Sequence, residues 1–140
     1  MAGYSGTPLP KKLGISEGMR VALRGAPDGL DETLGALPAG VVVRRRLRRT
    51  DAVDLVVTFV TERAALEADL EWLTGTLPPH GPLWVAWPKK ASKVPTDITE
   101  DVVREVALPL GWVDVKVCAI DEVWSGLKLV LRKELRPSGR

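Results

Sequence analysis

Apolar positions along this chain follow two rhythms, and the change from one to the other marks out its elements. In "MRVALRG" (19–25), Met19, Val21 and Leu23 alternate with Arg20, Ala22 and Arg24, the period-two pattern of a strand. "DLVVTFV" (54–60) and "PLWVAWP" (82–88) are apolar almost throughout, as expected of parallel strands covered on both faces. "GVVVR" (40–44) is a shorter run of the same kind. Near the C-terminus, Val113, Val115, Val117 and Ala119 face one way along "WVDVKVCAI", then Leu127, Leu129 and Leu131 along "GLKLVLRKE". This predicts an antiparallel pair joined through "DEVWSG" (121–126).

Between the strands the period lengthens to that of a helix. Leu30, Leu34 and Leu37 form one stripe; Leu66, Leu70, Leu73 and Leu77 form a second, opened by Thr61 as N-cap and stopped by Pro78 and Pro79. A third helix is expected from Thr96 or Asp97, where Asp97 and Glu100 have capping-box spacing and Ile98, Val102 and Val106 share a face; Pro109 and Gly111 end it. "LGALPAGV" (34–41) and "LTGTLPPHGPLW" (73–84) repeat one helix-to-strand device. Alternating strands and helices specify an α/β, Rossmann-like three-layer sheet, mostly parallel, closed by the C-terminal antiparallel hairpin. The stretch from Arg45 to Val53 is short for a parallel crossover. Either the second strand is short and returned by a bare loop, or it is not parallel.

Length and composition add boundaries. The 140 residues, 45% apolar and 27% charged, fit one domain. The expected division is an extended N-terminal arm over 1–18, rich in Gly, Pro and Ser, a Rossmann-like domain over 19–134, and a flexible tail over 135–140. No run approaches the roughly 20 apolar residues of a membrane span, and "MAGYSGTPLPKKLGIS" has no apolar core of a secretory leader. A cytoplasmic location is therefore expected, with no membrane partner. One cysteine, Cys118, and one histidine, His80, exclude an internal disulfide and a Cys/His zinc site. No metal is expected. A net charge of +2 does not by itself call for nucleic acid.

The whole layout is similar to that of S-adenosylmethionine-dependent methyltransferases shortened by about one βα unit, which implies a strand order of 2-1-3-4-6-5. More closely, "GYSGTPLPKKLGI", "LWVAWPKKAS", "DITEDVVREVALPLG" and "KVCAIDEVWSGLKLV" resemble a bacterial family known only as a domain of unknown function. That resemblance implies fold and bacterial origin, with no activity, substrate or catalytic residue to carry over. The methyltransferase likeness implies a Gly-rich turn after the first strand and an acid ending the second. The first turn is "RGAPDG" (24–29), where Gly25 and Gly29 leave no GxGxG, and the second strand runs into "RRRLRR" (44–49). Asp54 comes too early in the third strand, and "FVTERA" (59–64) lacks the Asn/Asp-Pro-Pro-aromatic motif of some methyltransferases. No cofactor is expected; S-adenosylmethionine enters only under the alternative of a divergent methyltransferase.

Ligands of open parallel sheets bind beyond the carboxyl ends of the strands. That rule assigns Gly25 to Gly29, Thr61 to Arg63, Pro88 to Asp97 and "DEVWSG" to one edge. The expected ligand-binding residues there are Lys89, Lys90, Lys93, Trp124, Ser125, Gly25 and Gly29, the lysines for an anion and Trp124 as a flat wall. Lys11 and Lys12 join them if the N-terminal arm folds across. The bland reading makes Lys89 and Lys90 solubilising loop residues and Trp124 a packing residue of the hairpin.

The arginines of 44–49 have no stacking aromatics among them and suit a solvated, edge-blunting strand end, so nucleic acid is not the expected partner. His80 falls on the opposite edge, Cys118 in an edge strand without a His partner, and capping or solvation accounts for Glu62, Asp97 and Asp121. With no nucleophile, metal or cofactor motif, the first expectation is a non-catalytic or regulatory domain binding a small anionic metabolite or nucleotide. The alternatives are the divergent methyltransferase and a protein-interaction module using the hairpin edge with Trp112 and Trp124. Self-association stays open.

Overall fold

The computed structural model describes residues 8–48, 52–75 and 81–132. Six strands form one sheet in the order β2-β1-β3-β4-β6-β5. They are β1 (Arg20–Arg24), β2 (Val42–Arg44), β3 (Leu55–Phe59), β4 (Leu83–Pro88), β5 (Trp112–Ala119) and β6 (Trp124–Leu131). β2, β1, β3 and β4 run parallel; β6 pairs antiparallel with both β4 and β5. The short-strand option holds for the second strand: β2 has three residues and is parallel to β1.

Strand alternation sends successive residues into two cores. Val56, Leu83, Val85, Trp87, Leu127 and Leu129 lie in one, against Leu66, Leu70 and Leu73 of helix α3 (Arg63–Thr74) and Val103 and Val106 of α4 (Glu100–Ala107). Val21, Leu23, Leu55, Val57, Phe59, Trp84 and Ala86 lie in the other, against α1 (Leu9–Leu13) and α2 (Leu30–Leu34). Both faces of β3 and β4 are covered, which is why those segments carry no polar alternation. β1 departs from its amphipathic reading for the same reason, because Ala22 is fully buried in the α3 side.

The polar exception is Thr58, fully buried on β3. Its hydroxyl donates to Asp69 Oδ2 of α3 at 2.7 Å, and Arg24 Nη2 at the end of β1 donates to Asp69 Oδ1 at 3.1 Å. Arg24 also lies over the Trp72 ring, 4.7 Å from its centroid. The network satisfies a hydroxyl that would otherwise be lost in an apolar layer.

Residues 8–18 are not the extended arm the composition suggested. Pro at the first turn and Gly14 in the left-handed conformation delimit a five-residue helix, and Leu9, Leu13 and Ile15 are buried. The Leu13 carbonyl accepts from the Trp84 indole at 3.0 Å. A helix this short is unstable alone, so the tertiary anchor decides its form. Capping differs too. Glu62, not Thr61, is the N-cap of α3, and α4 begins later than expected, capped by Thr99 Oγ1 accepting from Val102 N at 3.2 Å. Asp97 instead accepts from Arg63 N at 2.7 Å and so caps α3 from across the sheet edge.

On β5 the expected apolar face is broken. An irregularity between Asp114 and Lys116 shifts the register, and Val115 and Val117 are 52% and 44% exposed. A bulge on an outer strand turns side chains off their regular face and discourages further pairing. Of the Leu66–Leu77 stripe, Leu66, Leu70 and Leu73 are buried on α3; Leu77, Pro78, Pro79 and His80 lie outside the described residues, as do Arg49 and the tail 135–140.

Two ion pairs tie the sheet at its ends. Asp54 accepts from the Arg20 backbone at 2.8 Å and from its guanidinium at 3.2 Å, while Asp114 accepts from Arg104 Nε at 3.0 Å. These hydrogen bonds hold both carboxyl groups below the usual aspartate value, Arg20's side chain acting most strongly on Asp54 and Arg104's on Asp114. A carboxylate with a lowered folded-state pKa adds stability above its unfolded value of about 3.9 and loses it as pH falls through the lower folded value. Acid titration of stability should therefore be less steep between about pH 4 and pH 2 in an Asp54→Asn/Asp114→Asn variant than in the parent. Parallel slopes by circular dichroism would remove these two groups from the acid response.

Candidate site at the carboxyl edge

Four turns meet at the carboxyl edge, and backbone hydrogen bonds fix their shapes. After β1, Gly25 has φ +66° and Gly29, the N-cap of α2, has φ +87°. A side chain at Gly25 would place Cβ 2.9 Å from the Phe59 carbonyl oxygen, so the ends of β1 and β3 approach as closely as a glycine allows. After β3, the Thr61 carbonyl accepts from Thr96 Oγ1 at 2.6 Å, which with the Asp97–Arg63 bond stitches the β3 turn to the turn after β4.

The lysines stand on that second turn. Lys89 N donates to the Val123 carbonyl at 2.7 Å, continuing the β4–β6 ladder. Residues Lys90–Ser92 form a single 3-10 turn in which Ser92 Oγ donates to the Lys89 carbonyl at 2.6 Å and accepts from Val94 N at 3.2 Å. Lys93 closes it at φ +63°, the one non-glycine with positive φ among the described residues. Lys89 is half-buried; Lys90 and Lys93 are exposed. Opposite them, Asp121 Oδ1 accepts from both Val123 N and Trp124 N at 2.8 Å and shapes the hairpin turn.

The expected residues are thus brought to one edge, but not all to one surface. Trp124 and Ser125 belong to β6, not to the turn, pairing with Pro88 and Trp87. Consecutive strand residues face opposite ways. Trp124 packs on the α1–α2 side, edge-to-face with Phe59 at 5.2 Å between centroids, so it acts in the packing of the hairpin as well as standing near the edge. Ser125 is directed with Trp87 to the α3–α4 side. Gly25, Phe59, Trp124 and Lys89 form a continuous path: Gly25 on the Phe59 carbonyl, Phe59 on Trp124, and Lys89 bonded to the residue before Trp124. Phe59 is the member that sequence reasoning did not place there; Asp121 was expected on this edge with "DEVWSG", and the structure adds its role in shaping the turn. An Asp two and three residues before the amides it accepts from is a legible turn signature.

Lys11 and Lys12 lie in the last turn of α1. Lys12 is near enough to Cys118 to favour its thiolate, as does Lys116, but burial dominates and pushes the thiol up. Cys118 is accordingly held in its inert, protonated form at neutral pH. A separate groove of about 260 Å³ between α3 and α4 is lined by Arg63, Glu67, Glu71, Glu105, Val106, Pro109 and Leu110, and contains none of the expected site residues. Among the described residues no group of His, Cys, Asp and Glu is arranged to hold a metal, and no helix is long and apolar enough to cross a membrane.

The edge can be tested for an S-adenosylmethionine site. Gly25 and Gly29 both have positive φ, but Pro27 stands between them with no N–H to offer a ligand, where a Gly-rich turn would present its backbone. β2 ends at Arg44 and continues into exposed Arg45 and Arg46, where an acid would hold ribose hydroxyls. These residues do not fit the cofactor in that manner.

No family model matches the chain, and no curated protein matches it either. Solved structures do. A SAM-dependent methyltransferase from Aquifex aeolicus superposes with a TM-score of 0.60 at 17% identity, over 87% of this chain and 87% of that one. A protein from Sulfolobus solfataricus proposed to be a type 11 methyltransferase gives 0.63 at 12% identity, over 94% and 92%. TrmN from Thermus thermophilus gives 0.54 at 14% identity over 89% of this chain, which spans only 47% of TrmN. At such identities the likeness concerns the fold. The sheet order, the terminal hairpin and these superpositions together give the chain a methyltransferase-like Rossmann fold.

Proposed function

We propose that this domain binds a small anionic ligand at the carboxyl edge of a methyltransferase-like sheet, in a non-catalytic or regulatory role. The observation that carries the reading is the lysine turn: Lys89, Lys90 and Lys93 on one hydrogen-bonded loop, tied to the hairpin through Lys89 N and Val123 O. Fixing the backbone before the ligand arrives lowers the ordering entropy lost on binding. In thermal-shift assays with orthophosphate, pyrophosphate and adenine nucleotides, a ligand at one hundred times its Kd should stabilise the parent by about 2.7 kcal/mol. Lys89→Ala/Lys90→Ala should abolish that shift. A parent that no probe stabilises would overturn the reading.

A second reading is a divergent S-adenosylmethionine-dependent methyltransferase. The structural neighbours support it better than they support a non-catalytic role, since those from Aquifex and Sulfolobus are both described as methyltransferases, and the turn after β1 has two positive-φ glycines, Gly25 and Gly29. Pro27 and the arginines after β2 weigh against it. Calorimetric titration with S-adenosylmethionine and its demethylated product decides: saturable heat establishes cofactor binding, and flat traces at millimolar concentration rule this reading out.

A further inference from the structure

We infer that the carboxyl edge is built for one elongated ligand carrying two phosphate groups set apart along its length, rather than for a compact single anion; this rests on the reading of that edge as the binding edge. Two cationic poles flank it. The first is Arg45 and Arg46, both exposed, which leave the sheet directly after β2. The second is Lys89, Lys90 and Lys93 after β4. β2 and β4 are parallel, so both poles lie on the same edge, with β1 and β3 between them. Three strand spacings set the poles about 14 Å apart at their strand ends. The intervening turn presents Gly25, which has no side chain and is pressed against the Phe59 carbonyl, with Pro27 beyond it in the same turn.

The chemistry of the first pole is the reverse of a nucleoside site. An acid at the end of the second strand accepts hydrogen bonds from neutral ribose hydroxyls; a guanidinium cannot accept, and instead donates a planar pair of N–H groups that match a phosphate. Arginine near this position is how Rossmann folds take an additional phosphate on the ribose. Arg45 Nη2 bonds Asp31 Oδ1 of α2 at 2.5 Å, and that carboxylate is 77% exposed. Asp31 therefore holds the guanidinium in place until a stronger anion displaces it. Asp28 and Glu32 are exposed on the same turn and helix and confine the positive potential to the arginine side.

Three probes test the two poles by calorimetry at fixed ionic strength: orthophosphate, NAD, and NADP, which adds a phosphate monoester at one end of the same dinucleotide. The parent should bind NADP at least tenfold more tightly than NAD. Arg45→Ala/Arg46→Ala, both at exposed positions, should bring the two to equal affinity, whereas Lys89→Ala/Lys90→Ala should weaken both. Asp31→Asn should tighten NADP about threefold by freeing Arg45, on the scale of a single surface ion pair. Equal binding of NAD and NADP by the parent, or an unchanged preference in the arginine variant, overturns the two-pole inference. If orthophosphate still binds and depends on Lys89 and Lys90, the broader anion-binding reading survives that failure. If no probe binds at all, both fall.

Discussion

Trp84→Ala should lower the stability of this domain by about 4 kcal/mol, within the range seen for large aromatic residues removed from cores. For a domain of this size that is a fall in Tm of roughly 12 °C or more. Trp84 is fully buried on β4 among Leu13, Leu23, Phe59 and Ile120 of the same core, and the sheet has been shaped to receive it. A side chain at Gly126, on the neighbouring strand, would bring its Cβ to 3.1 Å from both Trp84 and Ile120. The loss has a second part, because the indole N–H is the partner of the Leu13 carbonyl at 3.0 Å. Trp84→Phe separates the two: it keeps most of the volume and loses the hydrogen bond, so about 1–2 kcal/mol should go. In both variants hydrogen exchange over residues 9–15 should accelerate more than exchange in β3. Equal acceleration everywhere would mean that α1 is not held through Trp84.

Gly25→Ala should destabilise by about 3 kcal/mol, although it adds only a methyl group. Holding an alanine near φ +66° costs about 1–2 kcal/mol. The remainder is steric, since the new Cβ would stand 2.9 Å from the Phe59 carbonyl, a backbone atom that cannot rotate away. Gly14, also at positive φ, has nothing within 4 Å of its Cβ position and provides the comparison. Gly14→Ala should show the conformational part alone. Urea unfolding that gives the two variants equal losses would show that β1 and β3 can part at no cost, and the close approach at the candidate site would lose its meaning.

The two variants also show where legibility in the sequence ends. β3 and β4 could be recognised because burial on both faces demands unbroken apolar residues, and α3 because Leu66, Leu70 and Leu73 recur at helical spacing. The terminal hairpin alternates strongly enough to be seen, though not to reveal the bulge beside Val115. α1 could not be recognised: five residues with two prolines nearby carry no periodicity, and the segment is helical because Leu9, Leu13 and Ile15 are buried in a core shared with α2 and with Trp84, more than sixty residues further on. Nor could the caps be assigned. Asp97 has the spacing to cap its own helix, yet it reaches Arg63, because the turns after β3 and β4 are neighbours only in the sheet.

The candidate site divides in the same way. Period, composition and the rule that ligands meet parallel sheets at their carboxyl ends were enough to bring Gly25, Gly29, Lys89, Lys90, Lys93 and the hairpin turn to one edge. These depend on chain direction, which a run of alternating strands and helices already contains. Side-chain facing was beyond reach, because it turns on whether the strand starts one residue earlier or later. Trp124 opens β6, so Trp124 faces Phe59 and Ser125 faces the other layer. By itself, the sequence determined the fold class and the cationic character of the Lys89–Lys93 turn, since these follow from local period and residue chemistry, while the strand order came with the likeness to methyltransferases. Only the tertiary structure decided the parallel course of β2, the contact of Gly25 with Phe59 and the anchoring of α1 on Trp84, because each is a contact between segments distant in the chain.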